Sequence, residues 1–258
     1  ENINTGEFGA VVLTGNDQSQ IDVSNSRFIR NTGSNSVGVF FADNIDITNS
    51  IFYQNSARTG AAFGWNPSGG SASSIVNCLF LENISTEYGS GGAIWIQPNS
   101  GVSIYNSIFW DNINSGGGDQ DVAGQNGVHN CSVQDLTSYS ADNYSFNPMI
   151  VDPENGDFSL SEYSPAIGLG VDQYFDFTSS QYEDIPESDY NENMRPDPVG
   201  SSSDLGPIEH QNAEPRQWVY YASNSGNDSN DGKSTQTAFL TIQHAIDNAD
   251  DLDTVEVL

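Results

Sequence analysis

Asp22 and Asp46 stand 24 residues apart, each second in a matching run, IDVS and IDIT. Paired carboxylates of this kind suit hydrolysis of a glycosidic bond, in which one acts as acid and the other as base or nucleophile, roughly 5 to 9.5 Å apart across a groove. Solvated charge at a strand edge is the other reading of the same two residues. Phe40, Phe63 and Trp95 suit binding rather than cleavage. With Val12 they alternate with Val11, Val39, Ala62 and Ile94, and if that second set points inward the first forms an outward apolar ridge on which sugar rings stack. A covering loop would bury the same ridge. Asp228, Asn230 and Asp231 lie in an oxygen-rich loop at residues 227–232 able to hold Ca²⁺, although it lacks the spacing and final Glu of an EF-hand. A turn capped by Asn and Asp side chains accounts for the loop equally well. No other cofactor is indicated.

These residues are placed by a repeat. NSRFIRN at Asn25, NSIFYQN at Asn49, NCLFLEN at Asn77, NSIFWDN at Asn106 and a degraded NCSVQD at Asn130 start 24, 28, 29 and 24 residues apart. That period belongs to stacked coils rather than to one globular core. Ahead of each copy lies a β-prone run with alternating apolar residues, such as Ile21 and Val23, Ile45 and Ile47, or Val102 and Ile104. A further strand precedes it, in AVVL, VGVFF, GAAFGW and GAIWI, so two or three strands per turn are expected. Stacking the turns at about 4.8 Å pairs each strand with its equivalent one coil away. The expected fold is all-β, a right-handed parallel β-helix over residues 1–135. Glu1-Asn2-Ile3-Asn4 mirrors Glu82-Asn83-Ile84-Ser85, so the chain is expected to begin inside a repeat.

In such a stack Asn25, Asn49, Asn77, Asn106 and Asn130 fall above one another, as do Asn31, Asn55, Asn83 and Asn112, and their amides are expected to hydrogen-bond up the stack. Phe28, Phe52, Phe80 and Phe109 form the matching core ladder. These ladders are scaffold rather than chemistry. Cys78 and Cys131 share one coil position but are two rungs apart, about 9 to 10 Å, beyond disulfide reach. Free, buried thiols follow. His129, His210 and His244 are scattered and predict no Cys/His metal site.

The 258 residues carry 35 carboxylates against six Lys and Arg, a net charge of −29. Such a balance excludes nucleic acid and anionic membrane as partners, because both demand clustered positive charge. No run reaches the roughly 20 apolar residues of a membrane span, so no membrane insertion is expected. The acidity points to an extracellular protein.

After Asp135 the repeat fades. FNPMIVDPENGDFSLSEYSPAIGLG, at residues 146–170, resembles the ending of secreted bacterial right-handed parallel β-helix proteins of the pectate-lyase-like superfamily, DP.F.D..NGDF.L...SPAI..G. Asp152, Pro153, Gly156, Asp157, Phe158, Ser164, Pro165, Ala166, Ile167 and Gly170 carry the match. A looser one follows in RPDP and DLGPIEH, with Pro207 where the family has Ala. Physically, residues 136–213 make sense as an irregular closing segment over exposed strand edges. The aromatic line Ile29, Tyr53, Leu81 and Trp110 is its expected docking surface, and Asn155-Gly156 a tight turn within it.

Residues 218–258 resemble the beginning of the same superfamily, YVS..G.D.NDG.S...AF.TIQ.AID.A..GDTV.V. Phe239, Ile242, Ala245, Ile246 and Ala249 recur at helical spacing and predict one short capping helix near 241–249. Residues 214–258 are therefore expected to be linker, cap and first strand of a second β-helix unit. The superfamily's lyases use a Lys or Arg base beside an acidic Ca²⁺ site. Lys233 is the sole lysine and lies in that cap, while Arg27, Arg30 and Arg58 sit on different edges, which argues against a lyase centre.

The resemblance implies a non-catalytic structural or adhesive segment of a large, repetitive protein at the bacterial cell surface. Its expected partners are surface or matrix polysaccharide, further β-helix units of the same polypeptide, and other surface or secretion-apparatus proteins. A polysaccharide-degrading enzyme, glycoside hydrolase or lyase, with its active site partly outside this chain, is the alternative.

Overall fold

The computed structural model describes residues 3–4, 11–12, 21–33, 38–41, 44–65, 72–87, 90–96, 101–116, 121–123, 127–134, 136, 139–177, 179–215, 219–249 and 253–258. Their regular structure is mostly strand, gathered for the most part into parallel sheets, with one α-helix among them. Sheet I holds Ile21–Ser24, Ile45–Thr48, Ala72–Val76, Gly101–Tyr105 and Val128–His129. Sheet II holds Arg27–Ile29, Ile51–Tyr53, Leu79–Leu81 and Ile108–Trp110. Sheet III is built from the two-residue strands Ile3–Asn4, Thr32–Gly33, Ser56–Ala57, Ile84–Ser85 and Ile113–Asn114. Sheet IV holds Val11–Val12, Phe40–Phe41, Phe63–Trp65, Ile94–Ile96 and Val122–Ala123.

Every strand of sheets I to IV pairs in parallel with its counterpart one repeat away, as Phe28 does with Phe52 and Phe80 with Phe109. The architecture is solenoid-like, with four strands per coil rather than the two or three expected. The strands of sheet III escaped notice because two residues are too few to show alternation.

Two corners per coil use left-handed backbone. The first is Asn25, Asn49, Asn77, Asn106 and Asn130, with φ of 45 to 53°. Asn tolerates this region better than other side-chain-bearing residues, which explains the invariant letter at the start of each copy. The second corner falls on Arg30, Gln54, Glu82 and Asp111, with φ of 51 to 55°.

Between the corners, Phe28, Phe52, Phe80 and Phe109 stack with centroids 5.0, 4.7 and 4.6 Å apart, the coil rise itself. Around them Ile45, Ile47, Ile75, Ile104, Phe63, Ile94 and Val122 complete the interior.

The second Asn column forms the expected amide stack. The Asn55 Oδ1 accepts from both the backbone N–H and the Nδ2 of Asn31 at 2.9 Å, and Asn83 and Asn112 repeat the arrangement. Each Nδ2 also reaches back to a Phe carbonyl, Asn55 to Phe28 and Asn83 to Phe52, both at 2.9 Å.

A parallel column holds Ser50, Cys78, Ser107 and Cys131. The Ser107 Oγ accepts from the Cys78 N–H at 3.1 Å, and the Cys131 Sγ from the Ser107 N–H at 3.4 Å. Both cysteines are free and buried. Burial pushes both thiols up, that of Cys78 to about 12.

The first Asn column departs from expectation. Its amides turn outward to the closing segment: Asn49 donates to the Ser188 carbonyl at 2.7 Å, Asn106 to Val171 at 2.8 Å and Asn130 to Leu169 at 3.3 Å. The closing segment accordingly lies along the flank of the coils as well as over the last one. Phe158, Leu160, Ala166, Ile167, Leu205 and Ile208 bury the outer face of sheet II, where Ile51, Tyr53, Leu79, Leu81 and Ile108 point away from the interior. Residues near the last coil cover its edge: Tyr144 N–H donates to the Cys131 carbonyl and Asn143 Oδ1 accepts from the Cys131 N–H, at 2.8 and 2.9 Å. A fully buried ion pair, Arg195 to Glu209 at 2.9 Å, knots the RPDP and DLGPIEH stretches together.

Residues 219–258 make a small unit of their own. Val219–Ala222 and Thr254–Val257 pair in parallel, and the helix Ile242–Asn248 lies between them in sequence, capped by the Thr241 hydroxyl. Tyr220, Ala222, Phe239 and Ala245 form its core, whereas Ile242 and Ile246 are exposed. A two-stranded sheet is too narrow to cover the whole apolar stripe of the helix.

Candidate functional site

Asp22 and Asp46 are direct partners on adjacent strands of sheet I. Asp22 is exposed, whereas Asp46 is half-buried and its Oδ1 accepts from the N–H and the Oγ of Ser74, at 2.9 and 2.6 Å. Burial raises the Asp46 carboxyl, the Ser74 bonds oppose that, and Asp176 adds like charge. Asp176 belongs to the antiparallel hairpin of Gln173–Asp176 and Gln181–Asp184, which lies over this face; Ser103 Oγ, next beyond Ser74 in the column, donates to the Phe175 carbonyl at 2.5 Å. Asp46 thus ties one coil to the next beside a covered surface.

Among the described side chains, Phe63 and Trp95 do not share one outward column. Phe63 pairs in register with Phe40 on one side and Ile94 on the other, and Phe63 and Ile94 are fully buried in the interior. Trp95 pairs with Gly64 and Ala123 in the alternate column and is half-buried. The Phe40 side chain lies outside the described residues, and so does that of Val12. Counting from Gly60 to Gly92 misplaces the strands by one residue, and a slip of one exchanges the two faces. The true equivalents are Gly60 and Gly91: a Cβ on either would stand 2.3 or 2.1 Å from the carbonyl oxygen three residues on, that of Phe63 or Ile94.

The 227–232 loop uses its oxygens internally. Asp228 Oδ1 accepts from the Leu240 and Thr241 N–H groups at 2.8 and 2.9 Å, and Asp231 Oδ1 from the Lys233 N–H at 3.2 Å. Asn230 spends its amide on the Ala238 carbonyl, at 2.9 Å. The arrangement is that of a capped turn leading into the helix. Among the described residues no group of three His, Cys, Asp or Glu is placed to hold a metal ion.

The arginines also have structural partners. Arg27 lies over the rings of Phe158 and Tyr190, 5.3 and 4.8 Å from their centroids, and Arg58 pairs with Glu87 at 2.9 Å. Arg30 donates to Gln54 Oε1 at 2.8 Å.

A groove that the sequence reading overlooked runs along the edge between sheets II and III. Its volume is about 590 Å³, and Gln54, Glu82, Ile84, Asp111, Asn112, Ile113 and Gln134 line it. Glu82 and Asp111 each follow directly after Leu81 and Trp110, which are register partners, so the two carboxylates recur at the coil rise. Their left-handed backbone at the second corner turns both side chains outward.

Ile84 and Ile113, partners in sheet III, form an apolar floor 40 and 48% exposed. Amides close the two ends: Gln54 donates to Glu82 Oε2 at 2.7 Å, and Gln134 Oε1 accepts from the Asp111 N–H at 3.0 Å. The signal was in the repeat itself, where the residue before the second Asn reads Arg, Gln, Glu, Asp in successive copies. Asp111 is exposed to solvent and Glu82 half-buried. No family model, curated protein or solved structure matches this chain.

Proposed function

We propose that the coils form a right-handed parallel β-helix, and that the chain is a non-catalytic structural or adhesive segment of a large, repetitive protein at a bacterial cell surface. On this reading it spans the closing part of one β-helix unit and the cap of the next. The observation that carries it is the use made of the polar residues: the Asn stack, the Ser and Cys column and Asp46 all tie one coil to its neighbour. Repeated ties of this kind suit a rigid rod, which lengthens by about 4.8 Å for each coil added.

The sequence resemblance at residues 146–170 and 218–258 supports the same conclusion. Electron microscopy of the intact protein tests it. Thin rods made of end-to-end units are the expected result, and isolated globular particles would overturn the proposal.

The reading as a polysaccharide-degrading enzyme draws support from one feature, the two carboxylates Glu82 and Asp111 recurring at coil spacing in a groove. Release of reducing ends from a polysaccharide panel, lost in Glu82→Gln, would establish it in place of the structural one. Glycan contact remains part of the adhesive role. Its test is retention on polysaccharide columns, with surface display in the source cell as the readout for location.

A further inference from the structure

The groove sets two carboxylates over two exposed isoleucines, with both pairs repeating at the same coil rise. Among the described residues neither Glu82 nor Asp111 has a basic partner: the ion pairs are Arg58 with Glu87, His129 with Asp142 and Arg195 with Glu209. The chain has one Lys and five Arg against 35 carboxylates, so it has few cations to supply. Among the described residues no cation of this chain meets the groove, which leaves it open to one from another molecule.

We propose that this groove binds an extended, lysine-bearing peptide segment of a partner protein. The lining selects this chemistry over its rivals. Lysine carries a compact ammonium on a four-carbon stem, and such side chains lay the stem along apolar surface while the head stays with water and carboxylates. Ile84 and Ile113 take the stems; Glu82 and Asp111 take the heads. Arginine and sugar rings both favour aromatic faces, and no aromatic residue is among the described residues that line the groove.

In an extended chain, residues i and i+2 face the same side about 6.7 Å apart, and flexible stems converge from there onto carboxylates about 4.8 Å apart. Gln54 and Gln134 stand at the two ends, where their bonds to Glu82 and to the Asp111 N–H hold the groove in shape. The net charge of −29 draws such a segment in from a distance at low ionic strength.

The test is fluorescence anisotropy of a labelled peptide of about eight residues with lysine at alternate positions, titrated with the full chain. Binding should weaken at least about tenfold in the double variant Glu82→Gln with Asp111→Asn, and also in Ile113→Ser. It should be unchanged in Asp172→Asn with Glu183→Gln, which removes as much charge from the exposed hairpin. An equal loss in both double variants would reduce the effect to overall charge and overturn the proposal. So would competition by spermidine at concentrations equal to the peptide, because the site would then recognise amines rather than a chain.

Carbodiimide coupling of the same peptide to the unmodified protein gives a readout free of any folding defect. Mass spectrometry should find the lysines joined to Glu82 or Asp111, and coupling spread evenly over the acidic surface would refute the assignment.

Discussion

Asn112 donates its side-chain amide to the buried Asp121 carboxylate at 3.0 Å, and this contact ends the amide stack that runs from Asn31. In the next copy the equivalent residue is Leu136, which cannot continue it. The other Asp121 oxygen accepts from the Gln134 N–H at 2.9 Å, so one side chain both terminates the stack and fastens the last coil. Replacement by Asn keeps an acceptor, whereas Ala leaves buried donors unmet. Asp121→Ala should cost about 2 to 3 kcal/mol and Asp121→Asn about half of that or less, measured by urea unfolding.

Asn83 makes four side-chain hydrogen bonds, as Asn55 and Asn112 do, with its Oδ1 accepting twice from Asn55 and its Nδ2 donating to Phe52 and Asn112. Asn83→Ala should therefore lower stability by about 3 kcal/mol, since several buried groups lose partners at once. Asn83→Gln should fare no better, because the longer side chain overshoots the coil spacing. Thermal and urea unfolding followed by circular dichroism check both.

Cys78 stands in a column where Ser50 and Ser107 do the same work, each side chain donating to the carbonyl two residues earlier. Cys78→Ser should change stability by less than about 1.5 kcal/mol, a small value for a fully buried site. Burial also holds the thiol near 12, so native protein should fail to react with a thiol reagent at pH 8 until it is unfolded.

Phe158 anchors the closing segment, packed edge-on against Tyr53 at 5.3 Å with Arg27 over its ring. Phe158→Ala should cost about 3 to 5 kcal/mol of that attachment. Limited proteolysis should then cut within residues 146–210 while the coils stay intact.

Asp204 gives the closing segment a pH dependence of definite sign. Burial pushes its carboxyl up to about 6, against the bonds it accepts from the His210 and Gly168 N–H groups at 2.6 and 2.7 Å. A folded value above the ordinary 3.8 favours the folded state below that ordinary value, and this benefit, about 3 kcal/mol, is lost as pH rises through about 6. Urea unfolding should show greater stability at pH 5 than at pH 7.5, and Asp204→Asn should reduce the difference but leave the share of Glu209, whose carboxyl burial pushes up to about 7.

The repeat made the interior legible, because Asn, Phe and Asn recur in fixed positions wherever a coil must turn, fill and turn again. Ile29, Tyr53, Leu81 and Trp110 were also readable as a docking face, since aromatic residues on an outer sheet and an aromatic-rich segment downstream demand each other. Sheet IV was not. Its strands follow loops of unequal length, and the pair Gly91-Gly92 offers two alignments that place Phe63 outside or inside. Only the close backbone approach at Gly91 decides between them.

The direction of the first Asn column was hidden for a different reason. Identical letters in two columns suggest identical roles, yet one column meets the interior and the other meets residues more than 100 positions away for Asn49 and Asn77. Phe63→Ala should accordingly act on stability, by about 3 to 5 kcal/mol, rather than on any ligand.

The amide stack also has an electrical direction. The Oδ1 atoms of Asn55, Asn83 and Asn112 all face the earlier coil, so the side-chain dipoles add along the axis instead of cancelling, as peptide dipoles do in an α-helix. The positive pole of that row lies at Asn112, and the group waiting there is a carboxylate.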